Sequence, residues 1–262
     1  MKELFDLPQE LSHPDPTRRA QIQMHKPLPK RFYTDVGVAA DVDGYAIQLD
    51  GRPVKTPAKQ ALKVPTDALA QLIHDEWAAQ GEFIDPATMP ITRLVNTAID
   101  GIAKDRQAVF DDILKFSGSD MLCYRTDSPT ELVERQAEAW DPILNWVADQ
   151  FGARFILIEG IMPQDQPREA IDALAVPLRR YDTPIELAAL HTVTTLSGSA
   201  LLAIAFAEGF IDADEAWRLA HLDEDWTNEH WGIDADAAAR RDKRLVELQA
   251  AVVAFQSVQV AA

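Results

Sequence analysis

The chain has 262 residues, 47% of them hydrophobic, which is enough apolar surface to fill one large core or two modest ones and excludes a disordered chain. Its 42 acidic and 25 basic residues leave a formal net charge of −17. That disfavours nucleic acid, whose binding depends on Lys and Arg clusters displacing counterions, and suits a basic partner. A lone cysteine, Cys123, excludes an intramolecular disulfide and a cysteine zinc cluster and fits a reducing compartment.

Residues 1–29 are rich in proline and charge without a sustained period and read as a loosely held arm. The opening "MKELFDLPQELSHPDP" has no apolar run of signal length, and its early acids are unlike a transit peptide. The chain is therefore expected to stay where it is made.

From Arg31 the pattern is a β-meander: "RFYTDVGVAA", a turn at "DVDG", "YAIQL", a two-residue Asp50-Gly51 turn, then "RPVKT". At Thr66 the period becomes helical. Thr66 is placed to cap "TDALAQLIHDEWAAQG", Leu69, Leu72, Ile73 and Trp77 share one face, and Gly81 is the expected stop. Pro90 opens a second amphipathic helix in "MPITRLVNTAIDGIAKD".

Beyond it the chain reads as almost entirely helical. Thr130 caps a helix that Pro142 should kink or divide and Gly152 should end. A short extended piece, "RFILIEG", precedes helices starting near Pro167 and Pro184, followed by two more at about 212–231 and 234–255. The apolar stretch from Leu187 to Phe210 carries His191, Glu208 and several hydroxyls and reads as a buried helix, not a membrane span. The fold class is α+β: the arm at 1–29, a β-rich N-terminal domain with a packed helix at 30–105, and an all-helical domain at 106–262.

The most chemically loaded segment is "HLDEDWTNEHWGID", His221 to Asp234, with five acids, two histidines and two tryptophans. On a helix, Glu224, Asp225, Asn228 and Glu229 fall on adjoining sides of one polar face. A metal would need His221 and Asp225 plus a ligand from elsewhere, and no HExxH pattern occurs, so no metal is expected. A hydrolase-type acid/base pair needs two carboxylates in different environments, whereas helical spacing crowds acids without chemistry. The interaction reading rests on Trp226 and Trp231 flanking the acids, because aromatic anchors beside charge suit an interface, although tryptophans also fill helical cores.

Cys123 lacks a C-x₅-R loop or a local histidine and reads as a small core residue. "SGSALLA" has neither phosphate-loop pattern, so Gly198 reads as a site of close packing or a kink. Arg93, Asn96 and Asp100 lie along one helical side and suit a domain-junction network or a partner site.

In order, "RFY", "LDGRPVKTPAK", "EWAAQGEFIDPATMPITRLVNTAID", "DMLCYR", "RQAEAWDPILNW", "SGSALLAIA" and "EDWTNEHWG" run from Arg31 to about Arg241. This ordered series resembles the ATP12 family, assembly chaperones for the alpha subunit of the F-type ATP synthase catalytic head. The resemblance implies a β-rich domain before a helical one, no catalysis and no bound nucleotide or other cofactor. It also implies a monomeric holder that covers the alpha-subunit surface later taken by the beta subunit. Carried over by position, the partner-binding acids are Glu224 and Glu229, with Asp225, Trp226 and Trp231 around them; Trp77 matches another sensitive family position, and as an apolar helix residue it reads as serving folding rather than binding. The chain departs from the family pattern with Thr227 for Gln, Asp236 for Glu and "FSGSDMLCYRT" for "YAGTDLLCYRA". The expected location is the bacterial cytoplasm or, for a processed organellar form, the mitochondrial matrix. A hydrolase using the acidic helix, or a general scaffold, is the alternative.

Overall fold

The computed structural model describes residues 27–160 and 164–259, so most of the expected arm lies outside the described residues. The chain divides into two compact units between Arg93 and Leu94.

In the first unit, β1 (Val36–Asp41) and β2 (Gly44–Leu49) form a two-residue hairpin closed at Asp41 and Gly44. Asp50 (φ 49°) and Gly51 (φ 75°) make the next turn, the paired positive φ values that a two-residue hairpin requires. β3 (Arg52–Pro53) and β4 (Lys63–Val64) both pair antiparallel with the other side of β2. Gly44 is obligatory because a Cβ there would lie 2.4 Å from the Val64 carbonyl oxygen. β2 is therefore central, β1 is an edge, and the sheet's buried side carries Ile47, Leu49 and Val64.

Helix α1 (Asp67–Ala78) packs on this sheet through Leu69, Ala70, Ile73 and Trp77. Its cap is Thr66, whose hydroxyl accepts from the Leu69 N–H at 3.2 Å. The helix stops before Gly81. Its end is set by Arg31, whose guanidinium donates to the Ala78 carbonyl at 3.3 Å and to the Gln80 carbonyl, placing a cation at the negative end of the helix. Helix α2 (Pro90–Asp100) then carries the chain across the division between the units.

The second unit holds α3 (Arg106–Ser117), α4 (Thr130–Phe151), α5 (Arg168–Leu178), α6 (Pro184–Ser197), α7 (Ala200–Ala207), α8 (Ala213–Ala220), α9 (Leu222–Trp231) and α10 (Ala235–Gln259). β5 (Tyr124–Arg125) pairs parallel with β6 (Ile158–Glu159), so only two residues of "RFILIEG" form a strand. α4 runs through Pro142 as one helix. Proline removes one N–H, and Trp140, Ile143 and Val147, buried on either side of it, hold the rest of the turn sequence. Gly152, at φ 73°, ends it in the left-handed conformation, as its position predicts.

The core of this unit is α7, buried from Ala200 to Phe206, beside α6, which also packs on α10 and α3. The expected single buried helix from Leu187 to Phe210 is therefore two. Gly198, at φ 72°, caps α6, and Ser199 caps α7 by accepting from the Leu202 N–H at 3.0 Å. Gly198 serves this left-handed turn, since a Cβ would meet Met121 only at ordinary contact distance. Likewise 212–231 is two helices broken at His221, whose ring is buried and bonded to the preceding turn. No helix among the described residues is long and apolar enough to cross a membrane.

Candidate functional site

Helix α9 begins at Leu222, immediately after the break at His221, and buries Leu222 and Trp226. The ring of His221 donates from Nδ1 to the Trp217 carbonyl at 2.8 Å and lies 3.8 Å from the Trp217 ring. Burial, with Arg241 and Arg244 nearby, holds its pKa below the usual histidine range despite that hydrogen bond. His221 is thus a packed junction between α8 and α9. Two residues before it, the Leu219 carbonyl accepts the indole N–H of buried Trp140 at 3.0 Å, which fixes α8 to α4.

The acids that "HLDEDWTNEHWGID" places on one helix sort by partner. Glu229 accepts two hydrogen bonds from the Arg135 guanidinium of α4, at 2.6 and 2.9 Å. That bidentate pair holds its carboxyl below the ordinary glutamate range. Asp225 makes the same fork with Arg241 of α10, its second contact at 3.2 Å. Asp223 accepts from Gln136 Nε2 at 2.8 Å, while Gln136 Oε1 accepts from the Thr126 N–H at 3.0 Å. The carboxylate of Glu224, half-buried, has no hydrogen bond or ion pair among the described residues.

At the C-terminal end of α9 the aromatic groups divide by exposure. Trp226 is buried beneath His230, ring centroids 4.0 Å apart and nearly parallel, and His230 Nδ1 donates to the Trp226 carbonyl at 2.7 Å. Trp231 meets Trp226 edge-on at 5.4 Å but is 73% exposed, as is Ile233 just beyond the helix. An apolar corner therefore stands beside the acidic face. Among the described residues no three His, Cys, Asp or Glu side chains gather with metal-ligand spacing.

The structure brings Glu224, Asp225, Trp226, Glu229 and Trp231 onto one helix but gives them unequal freedom. Trp226 is a core residue, Asp225 and Glu229 are tethered to arginines, Glu224 is half-buried with its charge felt by Arg241 but without a hydrogen bond, and Trp231 is exposed. Sequence reasoning missed Arg135, Gln136 and Arg241. Arg135 and Gln136 lie in "RQAEAW" but 94 and 87 residues from their partners, so no local spacing connects them.

The remaining singled-out residues belong to other surroundings. Trp77 is buried in the first unit; the Tyr33 hydroxyl donates to its carbonyl at 2.6 Å, and the two rings meet edge-on at 5.7 Å. Arg93 lies close enough to Glu76 to favour its charged form. Asn96 Oδ1 is buried without a hydrogen-bond partner among the described residues, and Asp100 ends α2. Cys123 is fully buried, its thiol pushed up to about 12 by burial first and then by Asp120, which leaves no thiolate for nucleophilic chemistry.

One carboxylate that the motif reading passed over is Asp120, completely buried. It accepts the Leu122 N–H at 3.1 Å and the Leu201 N–H at 3.0 Å, joining the short turn Met121–Cys123 to the start of α7. Burial raises its pKa to about 6 against these bonds. Its local signal was the "SD" before "MLCYR", a capping pattern too common to single out.

Comparison with known proteins places this chain in a family. The family model described as ATP12 chaperone protein matches residues 30–148, a span that ends before α9. The mitochondrial protein atp12 of Schizosaccharomyces pombe is 25% identical over 231 residues, covering 84% of this chain and 79% of that protein. The crystal structure of the Atu1473 protein from Agrobacterium tumefaciens is 61% identical with a TM-score of 0.85, covering 95% of this chain and 93% of that one. The crystal structure of Atp12 from Paracoccus denitrificans is 38% identical with a TM-score of 0.81, covering 87% of this chain and 97% of that one. With that identity over nearly the whole of the P. denitrificans protein, and the same strand-then-helix order, the chain belongs to the ATP12 chaperone family and is a chaperone, not an enzyme.

Proposed function

We propose that this chaperone of ATP synthase assembly binds the newly made alpha subunit of the catalytic head and shields its beta-subunit-facing surface until assembly. The observation that carries this reading is the α9 corner, where exposed Trp231 and Ile233 stand beside a carboxylate row in which Glu224 is unbonded. An obligate subunit interface left uncovered is an apolar patch prone to aggregation, and a temporary cover must match it while remaining displaceable. Trp231 supplies apolar contact at low entropic cost, and Glu224 with the Arg-paired Glu229 and Asp225 supplies a negative margin for a basic partner.

Around that surface, Trp226 is a packing support for Trp231, and Trp77 serves folding of the first unit. Arg93, Asn96 and Asp100 shape the helix that links the two units. The protein acts as a monomer, in a bacterial cytoplasm or in the matrix of an organelle.

The test is suppression of alpha-subunit aggregation, followed by light scattering, with Glu224→Lys, Glu229→Lys and Trp231→Ala, and with Asp149→Lys on α4 as the control. Folded α9 variants that lose suppression while the control retains it are the expected result. Full suppression by all three variants at low and high salt would remove α9 from the binding surface.

A further inference from the structure

The first unit carries a second surface suited to holding polypeptide. Among the described residues β1 is paired on one side only. In its hairpin, Asp41 and Gly44 are the closing pair across a two-residue loop, so Gly37, Ala39 and Asp41 direct their backbone groups to β2. Val36, Val38 and Ala40 then turn their N–H and C=O groups to the free edge. No other segment pairs with that edge among the described residues.

Exposed edge strands are normally guarded by lysine, proline, a bulge or an inward charge. Residues 36–40, "VGVAA", have none of these, and the register with β2 is unbroken from Val36 to Asp41. The side chains are short: none of residues 36–40 carries more than a valine's isopropyl group to crowd an incoming backbone. Sheet geometry is supplied by β2 and α1 behind it, so the edge is ordered before any partner arrives.

From these observations we infer that the β1 edge takes an extended segment of an unassembled client as an added strand, the segment being apolar at alternate positions and flanked by Lys or Arg. Charge selects this occupant over a second copy. Pairing β1 antiparallel with itself about Val38 would set Asp35 of each chain opposite Asp41 of the other, with Asp43 adjacent. Lys63, 2.9 Å from Asp41 and 3.5 Å from Asp43, offsets one charge at that end and none at Asp35. A strand with basic flanks meets acids at both ends. The inference rests on the chaperone role and is independent of the α9 reading, which lies in the other unit.

The probe is a synthetic octapeptide of alternating Val and Thr with Lys at both ends, added to the full chain and followed by amide hydrogen exchange and titration. Slowed exchange at Val36, Val38 and Ala40, together with at least about tenfold weaker binding of a Glu-flanked or backbone N-methylated peptide, is the expected result. Val38→Pro, which removes an edge N–H, should abolish binding. If that variant misfolds, Ala40→Lys leaves the backbone intact and should weaken the Lys-flanked peptide by like charge. Unchanged exchange at the three amides, equal binding of the Glu-flanked peptide, or self-association through β1 in sedimentation would each overturn the proposal. So would binding seen only after deletion of residues 1–26, which would make the occupant the chain's own N-terminal segment.

Discussion

The carboxylates of α9 and those of the protein interior do opposite work. On α9, Glu229 holds Arg135 at a surface where water competes and the pair stabilises little, while Asp225 holds Arg241 at a half-buried position. In the first unit, Glu76 accepts the Ile91 and Thr92 N–H groups, both at 2.7 Å, and the Thr92 hydroxyl at 2.6 Å, capping the start of α2. In the second unit Asp120 bonds the backbone of two segments far apart in sequence. Acids that hold the fold are solitary and aimed at N–H groups. Those proposed to meet a partner are crowded, and Asp225 and Glu229 among them are bonded only to side chains. Density of charge in a sequence thus marks where a surface is negotiable, not where stability resides.

The largest effect expected of any single change falls on the buried aromatic side of the first unit. Trp77→Arg places a cation against Ile73, Leu69 and the Tyr33 ring, groups that cannot neutralise it. The lost packing and unpaired charge together cost roughly 3–5 kcal/mol. Circular dichroism should show loss of the first unit's sheet and helix. A variant that melts like the parent but no longer binds client would reassign Trp77 from folding to recognition.

Asp120→Ala should cost about 2–4 kcal/mol, because it strands the Leu122 and Leu201 N–H groups in the core. The pH dependence sharpens the point. Burial lifts the carboxyl from 3.8 to about 6, so between those values the native state binds the proton more tightly than the unfolded chain. Ionised Asp120 therefore lowers stability most at and above pH 6, and the loss is relieved as pH falls toward 4, by on the order of 3 kcal/mol. Comparing chemical denaturation of the wild type and Asp120→Asn across that window should show the wild type gaining on the variant as pH drops. Parallel curves would mean that the site is open to water.

Glu76→Ala should cost about 1–2 kcal/mol by uncapping α2. Burial raises the Glu76 pKa against these hydrogen bonds, so its linkage has the same sign as that of Asp120. Its charge weakens stability as pH rises through its folded value, and Glu76→Gln should remove that slope while keeping an acceptor. Calorimetric melting of the three forms at two pH values separates the loss of the cap from the loss of the charge.

How far the sequence revealed this arrangement depended on distance along the chain. Thr66 before an apolar period, Asp50-Gly51 between alternating strands and Gly152 after a long helix are signals whose causes lie within four residues, and the structure follows them. Breaks set by tertiary contact were not legible: α8 and α9 look like one helix until His221 is seen bonded to Trp217 and packed on its ring. The α9 face shows the same limit. Its acids were evident from "HLDEDWTNEHWGID", but their division into paired and unpaired depends on Arg135 and Arg241, brought in from α4 and α10. Asp120 was hidden because a lone aspartate before a turn is commonplace, and only burial makes it consequential.

The smallest expected effect on stability is also the most direct test of the comparison between negotiable and fixed carboxylates. Glu224→Lys removes a carboxylate with no hydrogen bond or ion pair among the described residues, so the melting temperature should move by no more than about 0.5 kcal/mol's equivalent. Glu229→Lys sets a second cation against Arg135, losing the bidentate pair and adding repulsion at a half-exposed position, so it should lower the melting temperature slightly more than Glu224→Lys does. Binding should reverse the emphasis. A basic client surface meeting the Glu224→Lys variant loses attraction and gains repulsion at a site that needed no rearrangement, whereas engaging Glu229 already required competition with Arg135. Arg135→Ala completes the cycle by freeing Glu229: client affinity at low salt should rise, and high salt should erase the gain. Isothermal titration of alpha subunit against the four proteins at two salt concentrations measures all of this. If Arg135→Ala weakens binding while Glu224→Lys leaves it unchanged, the Arg135–Glu229 pair itself is the recognised feature, and the paired carboxylates, not the unpaired one, are those the client uses.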